Sequence, residues 1–190
     1  IQVHASLNVF VAGHNYFDRG LVYSTHLEWA SIVYTPEGIT SITNEKKKYS
    51  AMVNPVNEEF QTHILNVLKD LVKRYPDLDG LMLDRVRYDG IAADFSALSR
   101  QKFEAYIGQK VDKFPEDIFE WKKDENDKFY PERGKHFLKW IEWRTKNIYD
   151  FMARARNEVK IVTPDISFGT YTGAWYPSYY EVGVNFASKK

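Results

Sequence analysis

A short apolar run that ends in charged residues is the first feature of this sequence with the types and spacing for chemistry. A Leu-Met-Leu run follows a Pro/Asp/Gly turn and leads directly into Asp84, Arg85, Arg87 and Tyr88. This pattern is typical of a buried parallel strand whose carboxyl end opens into a site. Ligands of parallel sheets and barrels bind beyond the carboxyl ends of the strands, so Asp84 is the first candidate for a catalytic carboxylate. The alternative is a purely structural salt bridge from Asp84 to Arg85 or Arg87.

A second polar strand face is predicted at the start of the chain. His4, Ser6, Asn8 and Phe10 alternate with Val3, Ala5, Leu7 and Val9 over residues 1–10. Alternation of this kind predicts a strand with one polar-lined face and one face packed against helices. The pattern is that of an inner barrel strand near its open end.

A third strand is predicted over Val159–Gly169, and it offers a second carboxylate. Thr163, Asp165 and Ser167 share one face of that strand, so Asp165 can point into the same cavity as Asp84. Pro164 favours an earlier end of the strand near Thr163, because proline removes a ladder donor. In that case Asp165 is a loop residue.

The chain is rich in aromatic residues, which make up 16% of it. Most of these rings are expected to fill the core. Tyr171, Trp175 and Tyr176 lie in a turn-rich tract over residues 169–180, and they are the candidates for a platform that stacks on sugar rings. The alternative is a loop that packs on itself.

The elements between these segments predict how the candidate residues are positioned. Asn54 and Pro55 begin a helix that runs to about Tyr75, so a strand-helix-strand unit with parallel strands is expected. The other predicted elements are an elaborated loop bordering the site over 11–53, a helix from Ser96 or Ser99 to about Val111, an excursion over 112–132, and a helix from about Gly134 to about Asn157 with a solvated face containing Glu142, Arg144 and Lys146.

Composition limits the class of protein. The 190 residues predict a single domain over 1–190, and equal numbers of basic and acidic residues, 26 each, give no field that would attract nucleic acid. Without cysteine there are no disulfides or thiolate zinc sites, and no apolar run is long enough to span a bilayer. The chain begins within a strand and without Met, so the true start and any export signal are expected upstream. The oligomeric state is not indicated.

Several motifs resemble those of a known family. They are His4-Ala-Ser-Leu-Asn-Val-Phe10, Met52-Val-Asn-Pro55, Asp79-Gly-Leu-Met-Leu-Asp-Arg-Val-Arg-Tyr88, Gly173-Ala-Trp-Tyr-Pro-Ser-Tyr-Tyr180 and Gly183-Val-Asn185. Together they are similar to glycosyl hydrolase-like family 10, a bacterial family of (β/α)8 TIM-type barrels. The usual proline after the tyrosine of the third motif is Asp89 here.

The resemblance implies a secreted, periplasmic or cell-surface bacterial protein that hydrolyses or binds glycans. Asp84 matches the position at the end of the fourth barrel strand that serves as nucleophile in related barrels, whereas Asp165 matches no established acid. A complete barrel of this α/β type needs about 250 residues, so the chain is expected to be a central portion, roughly strands three to five.

The leading hypothesis is hydrolysis of an O-glycosidic bond by a carboxylate pair. Asp84 would act as nucleophile or charge stabiliser and Asp165 as general acid, because cleavage needs one ionised and one protonated carboxyl group. Arg85 or Arg87 would keep Asp84 ionised. His4, Asn8 and Tyr88 would donate or accept hydrogen bonds with sugar hydroxyls. Arg85 and Arg87 are also candidates for substrate binding. No cofactor is implied.

Two other classes of function stay open at this point. A non-catalytic glycan-binding protein would keep the barrel and the aromatic loops without a competent acid. A metal-dependent hydrolase would use His4, Asp84 and His14, although the spacing of His4, His14 and His26 matches no standard ligand signature. Fold alone does not choose between them, because such barrels host many chemistries.

Overall fold

The computed structural model describes residues 1–185 as a mixed α/β protein, which confirms the predicted class. The strands in this part of the chain are β1 (His4–Asn8), β2 (Val11–His14), β3 (Arg19–Gly20), β4 (Ile32–Thr35), β5 (Gly38–Ser41), β6 (Ser50–Met52), β7 (Gly80–Asp84), β8 (Phe119–Lys123), β9 (Phe129–Arg133) and β10 (Ser167–Thr170). The α-helices are α1 (Leu21–Ser24), α2 (Glu58–Arg74), α3 (Ala97–Ile107), α4 (Phe137–Val162) and α5 (Tyr179–Val182).

Three parallel strands form the sheet that positions the candidate residues. Their order is β1-β7-β10, so the strand that ends in Asp84 is central. Asn8 pairs with Asp84 at one end of β1 and His4 pairs with Gly80 at the other, while Ser167 of β10 also pairs with Gly80. The predicted parallel strand-helix-strand unit is therefore confirmed.

The two faces of this sheet differ as predicted from the alternation of β1. His4, Ser6 and Asn8 are exposed, whereas Leu81 and Leu83 of β7 are completely buried on the other face. Buried residues of α2 and α4 belong to the same core cluster as those leucines, and burial of each leucine contributes about 1.5–3 kcal/mol. Phe10 departs from the prediction. It is buried, with its ring centroid 4.8 Å from that of Phe151, because β1 ends at Asn8 and the chain turns.

The helix α2 begins three residues later than predicted. Its N-cap is Asn57, whose side chain accepts a hydrogen bond from the Phe60 N–H at 3.0 Å, and Glu58 and Glu59 occupy the first turn. Both features are favourable at the positive end of a helix. Asn54, the predicted cap, binds the buried Asp94 instead.

The predicted strand over Val159–Gly169 is wrong in its first half. The helix α4 continues to Val162, and β10 comprises only Ser167–Thr170. Phe151, Ala155 and Val159 continue the four-residue spacing of the buried helix face, so the helix is extended by packing. Its C-cap is Thr163, which precedes Pro164, and the α-helical conformation is disfavoured for a residue before proline.

Two segments without periodicity contain short antiparallel strands. Residues 11–53 are ordered by the sheet β3-β2-β6, by the hairpin β4-β5, and by the short helices between them. The predicted excursion contains the hairpin β8-β9, whose Phe119 packs in a second core cluster with Trp140. Of the two predicted starts of α3, the structure has Ser96 as the N-cap. The helix ends at Ile107, before Gly108 in the left-handed conformation.

Glu104 on α3 makes stability depend on pH. Its carboxylate accepts hydrogen bonds from Lys110 Nζ at 2.8 Å, the Val111 N–H at 3.1 Å and Arg100 Nε at 3.0 Å. These donors, Lys110 foremost, lower the pKa of Glu104 from 4.5 to about 2. A lowered pKa stabilises the fold above the pKa of the unfolded chain, and this contribution is lost as the pH falls from about 4.5 to about 2.

We therefore expect Glu104→Gln to reduce the loss of stability in that acidic range. Urea unfolding at a series of pH values measures the free energy of unfolding for the variant and for a matched control, exposed Glu125→Gln. The control should keep the slope of the unaltered protein. An unchanged slope in Glu104→Gln would contradict the assignment.

Candidate functional site

Three residues stand side by side where the parallel strands end. Asn8 pairs with Asp84 across β1 and β7, and Thr170 pairs with Leu83 across β10 and β7. The Tyr171 N–H continues this ladder with a hydrogen bond to the Leu83 carbonyl at 3.0 Å, which sets Tyr171 beside Asp84. Residues at one level of a parallel sheet share a face, so Asn8, Asp84 and Tyr171 form one row, called here the strand-end row.

The Asp84 carboxylate is half-buried, and it is available for a ligand. Its Oδ1 accepts a hydrogen bond from the Arg85 backbone N–H at 2.7 Å. Within residues 1–185 no lysine, arginine or histidine forms an ion pair with it. The alternative of a structural salt bridge to Arg85 or Arg87 is therefore not what the structure shows.

The two arginines after Asp84 are directed elsewhere. The Arg85 guanidinium lies over the Tyr49 ring, 4.9 Å from its centroid, and burial together with nearby Arg87 lowers the pKa of Arg85. Arg87 Nη1 donates to the backbone carbonyls of Tyr88 at 3.1 Å and of Asp89 at 3.4 Å. The prediction that one of them pairs with Asp84 is thus not met in the described residues.

Tyr88 is a core residue, contrary to its predicted contact with substrate. Its side chain is buried, its hydroxyl accepts a hydrogen bond from Asn147 Nδ2 at 3.2 Å, and burial raises the pKa of Tyr88. Its backbone N–H donates to the Val182 carbonyl at 3.0 Å. Tyr88 therefore fixes the loop that follows Asp84 and does not face a ligand.

Arg144 stabilises the same loop from within the core. It is fully buried, its guanidinium lies 4.3 Å from the Tyr88 ring centroid, and its Nη2 donates to the carbonyls of Gly90 at 2.6 Å and Glu181 at 2.8 Å. Burial lowers the pKa of Arg144 to about 10. The prediction of a solvated Arg144 is wrong. Its spacing of four from Trp140 and Ile148, both buried, places it within the apolar stripe of α4.

His4 and Asp165 lie at the opposite end of the sheet. His4 pairs with Gly80, and a Cβ at position 80 would approach the His4 Nδ1 to 2.6 Å. Asp165 is exposed and precedes Ser167, which also pairs with Gly80. Asp84 lies four positions after Gly80 in β7, about 13 Å along the sheet. The predicted pairing of Asp84 with Asp165 is therefore not formed, and His4 does not reach the strand-end row.

The predicted metal set of His4, Asp84 and His14 is not brought together either. In the described chain, the group of side chains with ligand atoms within 4.8 Å of one another is His26, Glu28 and Glu59. His26 Nδ1 lies 2.9 Å from Glu28 Oε1, and its ring stacks on Trp29. This group is a hydrogen-bonded histidine–glutamate pair beside a second glutamate, and both glutamates are exposed.

The aromatic tract combines both predicted interpretations. The Trp175 indole packs over Gly173 and against Tyr179, with ring centroids 4.8 Å apart, so this part of the loop packs on itself. Tyr171 and Tyr176 are 57% and 71% exposed. Of the predicted platform, only Tyr171 belongs to the strand-end row.

Asp94 is the main residue that the sequence did not reveal. It is completely buried, and its carboxylate accepts hydrogen bonds from Ser31, Ile32, Asn54, Ser96 and Ser99. It joins the 11–53 segment to the start of α3. The available signal is its place two residues before the N-cap Ser96, where aspartate binds nearby backbone N–H groups.

The fold and the strand-end row define an α/β protein with its candidate site at the carboxyl ends of parallel strands, as in barrel enzymes. More particularly, the chain belongs to the family described as glycosyl hydrolase-like 10, whose model matches residues 22–184. This confirms the family that the motifs predicted.

An S-layer-related protein and a β-galactosidase are among the known proteins that are similar to this chain. An S-layer-related protein of Niallia circulans is 31% identical over 203 residues, which cover 99% of this chain and 12% of that protein. The crystal structure of β-galactosidase from Bacillus circulans sp. alkalophilus matches with a TM-score of 0.59 and 12% identity, over 90% of this chain and 27% of that chain. The second likeness concerns the fold. The chain thus spans a small part of the length of both proteins.

Within residues 1–185, none of the helices has both the length and the apolar character that crossing a bilayer requires.

Proposed function

We propose that this chain forms part of a glycoside hydrolase-type barrel that binds a carbohydrate at the strand-end row and uses Asp84 in the cleavage of an O-glycosidic bond. The observation that supports this most is the Asp84 carboxylate itself. It lies at the carboxyl end of the central parallel strand, between Asn8 and Tyr171, without an ion-pair partner in the described chain.

Each member of the strand-end row has a chemical part in this proposal. The exposed Asn8 amide donates and accepts hydrogen bonds with sugar hydroxyls. The Tyr171 ring offers an apolar face to the C–H groups of a sugar. Asp84 acts as nucleophile or stabilises the oxocarbenium-like transition state through its negative charge.

The general acid of this proposal comes from another part of the barrel. The predicted acid, Asp165, lies at the amino end of the sheet, whereas cleavage needs two carboxyl groups about 5–9.5 Å apart. The outer edges of β1 and β10 have no strand partner in the described chain, and the β1 side chains of the polar face are exposed. Further barrel strands at these edges would cover that face and supply the acid.

A non-catalytic glycan-binding barrel is the second candidate. The observation in its favour is the same displacement of Asp165, which leaves Asp84 without its predicted acid. Both candidates require carbohydrate binding at the strand-end row, and they differ in turnover.

Carbohydrate binding is tested by Tyr171→Ala in the whole protein. Loss of one stacked ring should weaken binding of an oligosaccharide about 2- to 12-fold, as expected for an aromatic contact of about 0.5–1.5 kcal/mol. Titration calorimetry gives the Kd, and exposed Tyr130→Ala on β9 is the matched control. Equal weakening in both variants, or in neither, would contradict binding at Tyr171.

We also propose a location at the bacterial cell surface. This rests on the name of the S-layer-related protein of Niallia circulans, and a glycan of the cell envelope would then be the substrate.

A further inference from the structure

We propose that the glycan at the strand-end row is acidic, and that Arg85 binds the carboxylate of a sugar next to the one at Asp84. This inference rests on the proposed function and narrows its substrate class to sugars of the uronic-acid type. It is carried by the backbone, the charge and the neighbours of Arg85.

The backbone of Arg85 is held in a conformation that arginine rarely adopts. Its φ is 55°, in the left-handed region, which is strained for a residue with a side chain. Two hydrogen bonds hold it there, from its N–H to Asp84 Oδ1 at 2.7 Å and from the Phe10 N–H to its carbonyl at 3.3 Å. The position of the Arg85 side chain is thus coupled directly to the Asp84 carboxylate.

The Arg85 guanidinium is a half-buried positive charge without an anionic partner. In residues 1–185 it takes part in no side-chain hydrogen bond or ion pair. Arg87 adds positive charge nearby, and Asp89, a carboxylate that attracts Arg85, is ion-paired with Lys48. A guanidinium in these surroundings is suited to a ligand that brings its own negative charge.

The neighbours of Arg85 indicate that this ligand is a sugar. Arg85 stacks on Tyr49, which belongs to a group of rings around His14. The His14 ring centroid lies 6.1 Å from that of Tyr49, 5.5 Å from that of Tyr16 and 4.8 Å from that of Phe17. Tyr49, Tyr16 and Phe17 are large exposed rings. The ring faces can pack against the C–H groups of a sugar, and the planar Arg85 guanidinium matches the geometry of a carboxylate. Together these two features favour a uronic acid over a neutral sugar.

The test measures binding of the whole protein to paired probes. These are oligomers of galacturonate, glucuronate, mannuronate and guluronate, each compared with its carboxyl-reduced form, which has the same linkage without the charge. We expect at least one acidic probe to bind about 10- to 100-fold more tightly than its reduced form, as for a charge-assisted hydrogen bond. Arg85→Gln should abolish this difference, so that the acidic probe and its reduced form bind with equal affinity.

A second variant and a control protect the test from misfolding. Arg85→Gly suits the left-handed backbone, so it should fold at least as well as the unaltered protein and also lose the preference for the acidic form. Arg156→Gln removes an exposed arginine from α4 and should keep the preference.

The outcomes separate this inference from the proposed function. Equal binding of acidic and reduced probes, or a preference that survives in Arg85→Gln and Arg85→Gly, overturns the inference and leaves carbohydrate binding intact. Absence of binding to every probe in both forms also overturns the inference, whereas carbohydrate binding itself is decided by the Tyr171→Ala titration.

Discussion

The Asp84→Asn variant of the whole protein is expected to cleave its glycan on the order of 10²–10⁴-fold more slowly, the range for loss of a positioned acid–base or nucleophilic group. Asparagine has the same shape as aspartate, and its Oδ1 can still accept the hydrogen bond that Asp84 Oδ1 receives from the Arg85 N–H. The substitution therefore removes the negative charge while it preserves the local backbone. The measurement is kcat from release of reducing ends.

The matched control is Asp165→Asn. Asp165 is exposed and lies at the amino end of the sheet, so this variant should retain full activity. Unchanged turnover in Asp84→Asn would contradict the role of Asp84. Loss of activity in Asp165→Asn equal to that in Asp84→Asn would contradict the placement of the site at the strand-end row.

The Asp94→Asn variant is expected to lose about 3–5 kcal/mol of folding stability. Oδ1 of Asp94 accepts from Asn54, Ser96 and Ser99, and Oδ2 accepts from Ser31 Oγ at 3.0 Å and the Ile32 N–H at 2.7 Å. An amide NH2 in place of either oxygen faces donors and cannot accept from them. Each buried donor left without an acceptor costs about 1–3 kcal/mol, and the remaining bonds lose their charge assistance.

Urea unfolding followed by tryptophan fluorescence measures this loss. Asp150→Asn is the control, because Asp150 forms an exposed ion pair with Lys146 and such pairs contribute about 0–1 kcal/mol. A loss below 1 kcal/mol in Asp94→Asn would show that the network does not tie the 11–53 segment to α3.

The central part of the sheet was predictable from the sequence because its signals are local. The apolar run before Asp84 and the alternation in β1 each specify a strand, and the stripe of α2 between them specifies the crossover helix. Parallel pairing then follows because a crossover helix returns the chain to the end of the sheet at which the first strand began. These elements bring Asn8 to Asp84 without any knowledge of distant contacts.

The errors arose where tertiary contacts decide between two local patterns. Val159 to Val162 fits a short strand as well as the end of a helix, and packing of Val159 in the core decides for the helix. That shift moves Asp165 to the amino end of β10. Tyr88 comes shortly after the end of a strand, a position that is typical of a ligand-binding residue. Its burial against Arg144 and Asn147 shows that it supports the loop instead.

The short strands of residues 11–53 could not be predicted from local sequence patterns, for a different reason. β2, β3 and β6 contain four, two and three residues, too few to show a period, and antiparallel pairing across the segment holds them together. The exposed rings around Tyr49 are therefore not visible as a group in the sequence.

The strand-end row is tested most directly by a crystal structure of the Asp84→Asn variant of the whole protein with a bound oligosaccharide that the unaltered protein cleaves. We predict a sugar ring stacked on Tyr171, within hydrogen-bonding distance of Asn8, with its scissile bond next to residue 84. A bound oligosaccharide whose scissile bond lies away from residue 84, or at the end of the sheet that holds His4, would contradict the account.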